Sequence, residues 1–217
     1  TDKRPSLHDV RFARPLIVSE GADVVMRTFA TREEPDDACS AVRVRTRSDA
    51  DGFRTDHFTA TCVFDESAAE PARHVNPAIV NALIASPDAA SAIRVEDFVP
   101  VPLFQGKLFR HIEQIHRLDA GTGSLTTVRI PDVRYFDGSM DERMRTGQPA
   151  ARDSYLQSGA LLLPPGTLPR ALDELRIYRV CEPGETVHCH VQAAQAAHED
   201  AQNGLLVHRA DYHVYDA

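Results

Sequence analysis

Period-two alternation is the feature that most limits what this chain can fold into. In residues 41–47, Val42 and Val44 alternate with Arg43, Arg45 and Arg47, so extended backbone would put valines on one face and arginines on the other. Residues 53–64 repeat the pattern, with Phe58, Ala60, Cys62 and Phe64 sharing a face. Residues 7–12, 16–18 and 23–30 read as further short strands. Ser19-Glu20-Gly21 and Asp49-Ala50-Asp51-Gly52 carry hairpin-turn chemistry between them. Residues 1–66 are therefore expected to be half-buried antiparallel strands.

A polar stretch with Pro71 and Pro77 opens an expected linker over 67–100, in which 78–85 reads as a short helix. A second set of elements follows in 101–217. Strands at 108–118 and 124–130 flank a plain turn at 119–123, whose glycines have neither the lysine nor the following helix of a phosphate loop. One helix is expected over 152–163, stopped by Pro164-Pro165-Gly166. Strands at 175–180, 186–194 and 205–215 complete the chain. Strands before and after a single helix, without β-α-β alternation, predict an α+β fold with curled antiparallel sheet around a central helix.

Composition removes several function classes. Hydrophobic residues make up 42% and charged residues 26%, as in ordinary globular domains. Cations number 24 against 32 anions, a formal charge of −8, which leaves no reserve of basic charge for a phosphate backbone; nucleic acid is not the expected partner. No run approaches the roughly 18 apolar residues of a membrane span. Cys39, Cys62, Cys181 and Cys189 form no CxxC and match no zinc spacing, so reduced thiols in a cytoplasmic protein are expected. His188-Cys189-His190 does not make a metal site, because on a strand the two histidines share a face and the cysteine points away. His57 is expected to be structural, and residues 141–145, of mixed sign, a solvated loop. The chain starts Thr-Asp-Lys-Arg without methionine or a signal segment, and reads as a piece of something longer.

The helix carries the informative pair. Asp153 and Gln157 in Asp-Ser-Tyr-Leu-Gln are four apart and share one helical face. An acid and an amide on a helix about to be buried are costly without partners or purpose. The competing reading makes Asp153 an N-terminal capping acid and puts Gln157 in solvent.

Four segments in order resemble one family. They are Leu7-His-Asp-Val-Arg-Phe-Ala-Arg-Pro-Leu, Pro102-Leu-Phe-Gln-Gly-Lys-Leu-Phe, Asp153-Ser-Tyr-Leu-Gln157 and Leu168-Pro followed by a strand. Together they resemble the dehydratase domain of polyketide synthases, a double hot-dog fold, with the enediyne and polyunsaturated-fatty-acid type nearest in look. Phe104-Gln-Gly-Lys-Leu-Phe109 is similar to the family's aromatic-His/Tyr-Gly-Pro-x-Phe segment, with Gln105 where His or Tyr is usual and Lys107 where Pro is usual. The family's His-x-x-x-Gly-x-x-x-x-Pro motif is missing: none of the ten histidines has glycine four residues later. The N-terminal half also shows strands but no helix, so that hot dog is expected to be incomplete, the chain starting after the segment that would supply both.

The resemblance implies a lyase that removes water from β-hydroxyacyl chains to give enoyl thioesters. It implies Asp153 as the acid and Gln157 as its helper, with Phe104, Gln105, Gly106 and Phe109 beside the substrate. The acyl chain would arrive on the phosphopantetheine arm of an acyl carrier protein, within a larger synthase, with no metal and no bound cofactor. A homodimer is one arrangement that would cover open edge strands. Two alternatives stand beside this reading: a non-catalytic hot-dog scaffold or dimerisation domain, and a hot-dog thioesterase in which Asp153 activates water.

Overall fold

The computed structural model describes residues 5–33, 39–65, 93–94, 105–119, 122–133, 146–164, 167–200 and 205–216. The expected linker over 67–100 apart from Ile93–Arg94, with its short helix at 78–85, and the loop at 141–145 lie outside them. The chain divides into two compact units, one of residues 1–72 with 169–179, the other of 73–168 with 180–217.

The first unit is a five-stranded antiparallel sheet. Its strands are β1 (Ser6–Phe12), β2 (Met26–Arg32), β3 (Cys39–Ser48), β4 (Phe58–Asp65) and β8 (Ala171–Leu175), in the order β2-β3-β4-β1-β8. The alternation at 41–47 does what it predicts. Val42 and Val44 pair in register with Cys62 and Ala60, while Arg43 and Arg45 pair with Thr61 and Thr59 on the opposite face. Asp49–Asp51 form a single 3-10 turn closed by Gly52 in the left-handed region at φ 70°, a conformation that favours glycine. His57 is structural: its ring nitrogens meet Ser48 Oγ at 2.8 Å and the Arg14 carbonyl at 3.1 Å.

Three expectations change here. Residues 16–18 form no strand, and Ile17 and Val18 are exposed. The strand expected at 175–180 lies at Ala171–Leu175 instead. It belongs to the first sheet, where Leu7 faces Leu175 and Val10 faces Leu172. The span 101–217 therefore does not form one body, and this pairing joins residues far apart in sequence. No α-helix occurs in this unit among the described residues.

The second unit holds β5 (Ile93–Arg94), β6 (Ile112–Asp119), β7 (Gly123–Arg129), β9 (Thr186–Glu199) and β10 (Leu206–Asp216), ordered β10-β9-β7-β6-β5. Ile93–Arg94 falls within the span expected as linker, yet pairs with β6. The helix α1 runs Pro149–Ala160, starting and ending earlier than the 152–163 expected. Pro149 explains the start: its fixed φ suits the first helical position, and its missing N–H has no partner to lose there.

Small residues let α1 sit on the sheet. Ala150, Ala151, Ser154, Ser158 and Gly159 are all buried, and Ala151 joins a core of Ile112, Ile115, Val128, Ile130, Leu161, Val187, Cys189 and Val191. The buried hydroxyls are matched. Ser124 Oγ donates to the Ser158 carbonyl at 2.8 Å, Ser158 Oγ donates to the Ser154 carbonyl at 3.0 Å, and Thr126 Oγ1 lies 2.7 Å from Ser158 Oγ. Gly159 is required by close approach, since a Cβ there would lie 2.0 Å from the Tyr212 hydroxyl oxygen and 2.7 Å from Cζ. Gly159→Ala should therefore destabilise the protein by about 1–3 kcal/mol in chemical denaturation, overriding the helix-propensity gain. A more stable variant would contradict this packing.

The other face of this sheet carries histidines. Thr127 Oγ1 sits 2.5 Å from His116 Nε2 and 3.1 Å from His188 Nδ1, and His190 pairs directly with His213. Burial holds His116 and His188 below the ordinary imidazole range, helped for His116 by the nearby His188. Burial, then His213 and Arg117, does the same for His190. The folded state thus binds fewer protons than the unfolded chain, and stability is lost as pH falls below the ordinary value of 6.5. Melting temperature should drop between about pH 7.5 and about pH 5, with a shallower slope in His188→Gln. A flat profile, or an unchanged slope in that variant, would refute the assignment.

Candidate active site

Asp153 lies one turn inside α1, beyond its start at Pro149, so it is not a capping residue; no acid occupies the first turn. The N-cap is Gln148, without a side-chain capping bond. Gln157 is 1% exposed, which excludes the solvent-facing alternative. The two side chains meet as their spacing requires: Gln157 Nε2 donates to Asp153 Oδ2 at 2.6 Å.

A third group completes the arrangement. Lys107–Phe109 form a 3-10 turn preceded by Gly106 in extended conformation. The main-chain carbonyl of Phe109 accepts the other Gln157 Nε2 hydrogen at 2.5 Å. Ser154 joins the same segment, its Oγ accepting the His111 N–H at 3.2 Å. Residues 109–111 are thereby laid on the helix at Ser154 and Gln157, one turn apart.

Electrostatics favour an acid. Partial burial pushes the Asp153 carboxyl above the usual carboxylate range, and the Gln157 hydrogen bond partly offsets that rise. Among the described residues Gln157 Oε1 is buried with no hydrogen-bond partner, an acceptor left open in the site. Gln105 Oε1 is likewise buried without a partner among the described residues, while its carbonyl accepts from Arg110 Nε at 2.5 Å.

The predicted site residues are thus brought together unequally. Asp153, Gln157 and Phe109 converge, Phe109 through its main chain. Gln105 and Gly106 lie on the connecting segment, Gly106 exposed and Gln105 partly buried. Phe104 lies outside the described residues. His188 and His190 are on one face of β9 and Cys189 on the other, fully buried with its thiol pushed up to about 12. No cluster of metal-ligating side chains occurs among the described residues. Sequence reading missed Ser154 and the Phe109 carbonyl. The serine's position next to Asp153 on a small-residue helix was the available signal, and the carbonyl left none.

An antiparallel sheet packed on one helix matches solved hot-dog folds. The trans-AT dehydratase domain from Brevibacillus brevis is 19% identical with a TM-score of 0.66, covering 100% of this chain and 72% of that one. The dehydratase domain from the CurK module of curacin polyketide synthase is 16% identical with a TM-score of 0.64, covering 100% and 77%. That from the CurF module is 14% identical with a TM-score of 0.61, again covering 100% and 77%. At these identities the likeness establishes the α+β hot-dog fold. The family model for the polyketide synthase dehydratase N-terminal domain matches residues 84–217, and the chain belongs to this family. Comparison with curated protein sequences gives no significant match.

The raised Asp153 has a consequence for stability. A carboxyl whose folded value lies above its unfolded value contributes stability at low pH that is lost as pH rises through the folded value. Asp153→Asn, neutral at every pH, should raise the melting temperature at about pH 8 and lose that advantage near pH 4. A variant less stable than wild type at the higher pH would contradict the burial cost.

Proposed function

We propose that this dehydratase-family domain removes water from β-hydroxyacyl thioesters carried on the phosphopantetheine of an acyl carrier protein. The observation that carries the reading is the half-buried Asp153 carboxyl with Gln157 donating to one of its oxygens. In the reaction a base takes the α-proton, the Cα–H electrons form the double bond, and the C–O bond breaks. Asp153 gives its proton to the departing hydroxyl, which leaves as water. A carboxyl raised by burial is suited to hold that proton near neutral pH.

Two related structures support an acid in this role. Both are CurK dehydratase variants described as inactive, one with a histidine replaced by phenylalanine, the other with an aspartate replaced by asparagine. We assign the aspartate's part here to Asp153. The base is assigned to no residue of this chain, because none of its ten histidines stands in the family's histidine motif. Gln105, Gly106 and Phe109, with Phe104, are assigned to the acyl-chain side of the site on their family segment. The placement with enediyne and polyunsaturated-fatty-acid synthases rests on the sequence motifs. No helix among the described residues is long and apolar enough to cross a membrane.

In the intact protein, Asp153→Asn should lower enoyl formation at least about 10²-fold with the fold retained, read by mass spectrometry of the carrier-bound product. Wild-type enoyl formation would remove Asp153 from the mechanism. Hydrolysis of both β-hydroxyacyl and saturated acyl carriers, without enoyl product, would establish the thioesterase instead.

A further inference from the structure

Ser154 stands where the helix and the crossing segment meet, fully buried, and its hydroxyl touches both. Oγ lies 3.0 Å from the Ala150 carbonyl and 3.3 Å from the Phe109 carbonyl, either of which can take its proton, and it accepts the His111 N–H at 3.2 Å. The Phe109 carbonyl is the same atom that accepts from Gln157. A primary amide nitrogen has two hydrogens, and both are used, on Phe109 and on Asp153 Oδ2. Turning the amide over would set Gln157 Oε1 against the Phe109 carbonyl, which has no hydrogen to give. The carbonyl therefore fixes the rotation of the amide, and the amide fixes the carboxyl.

We propose that Ser154 is a positioning residue for Asp153: by pinning residues 109–111 to α1 it sets the Phe109 carbonyl, hence the Gln157 amide, hence which carboxyl oxygen is free. Oδ2 is committed as an acceptor, so the carboxyl proton resides on Oδ1, and Oδ1 is the oxygen that meets a substrate hydroxyl. The catalytic part of this inference rests on the dehydratase reading, whereas the effect on Asp153 rests on geometry alone. Neighbouring charged and titratable groups are engaged elsewhere. Arg152 interacts with Tyr155 and Cys181, Arg110 reaches the Gln105 carbonyl, His111 Nε2 meets the Leu108 carbonyl at 2.9 Å, and Lys107 is exposed. Burial and Gln157 are the influences that act on Asp153.

The test is the titration of the Asp153 carboxyl by carbon-detected NMR on the whole chain. Ser154→Ala should raise its midpoint by about 0.5 pH unit or more, because the Gln157 bond that holds it down is loosened. In a Gln157→Met background, which keeps shape and removes the amide, the same substitution should leave the midpoint unmoved. An unmoved midpoint in Ser154→Ala alone, or an equal shift in both backgrounds, would overturn the proposal. Should Ser154→Ala fail to fold, Ser154→Cys keeps the shape, weakens the bond and should shift the midpoint in the same direction by less. In the intact protein, Ser154→Ala should lower kcat about tenfold with KM nearly unchanged, and move the high-pH limb of kcat upward. A lowered melting temperature with neither the titration shift nor those kinetic changes would overturn the positioning role. A shifted titration with dehydration kcat untouched would leave Ser154's hold on Asp153 standing and overturn Asp153 as the proton donor of the proposed reaction.

Discussion

One buried amide holds the site together. Gln157 has two hydrogens to give, and it gives one to the main chain at Phe109 and one to Asp153. Little else would keep a carboxyl both half-buried and fixed in direction. Desolvation alone would favour any rotamer that carried Asp153 back toward water. The hydrogen bond restrains that escape while leaving the carboxyl with a raised affinity for its proton. The opposing effects of burial and of Gln157 on Asp153 are thus two sides of the same arrangement.

The rest of the second unit serves to bring that amide to its acceptors. A helix with leucines on its buried face would stand further from the sheet. Ala151, Ser154, Ser158 and Gly159 allow it to lie close, and hydroxyls from Ser124 and Thr126 satisfy the polar groups this closeness buries. Tyr212 fills the space over Gly159, its phenol pushed up to about 12 chiefly by burial. The core of branched aliphatic residues on β6, β7 and β9 supplies the apolar area that offsets the ordering of these elements.

Local patterns were legible in the sequence, and long-range pairings were not. Alternation at 41–47 marked β3 and its two faces because the period of two is a property of the strand itself. The contact between Asp153 and Gln157 was legible for the same reason, since i and i+4 meet on any helix. α1 starts ahead of the apolar run that marks it in the sequence, because Pro149, suited to the first helical position, opens it. That Ala171–Leu175 pairs with Ser6–Phe12 could not be read from either segment, because each offers only a strand and says nothing of its neighbour. The Phe109 carbonyl was invisible for a deeper reason: every residue has one, and only the fold decides which of them receives a buried amide.

The account is tested most directly by a crystal structure of the intact protein holding a non-dehydrating β-hydroxyacyl pantetheine analogue. The β-hydroxyl is expected within hydrogen-bond reach of Asp153 Oδ1, with Gln157 still bridging Oδ2 and the Phe109 carbonyl. A ligand bound with its hydroxyl away from Asp153, or a Gln157 side chain that has let go of the carboxyl, would contradict it.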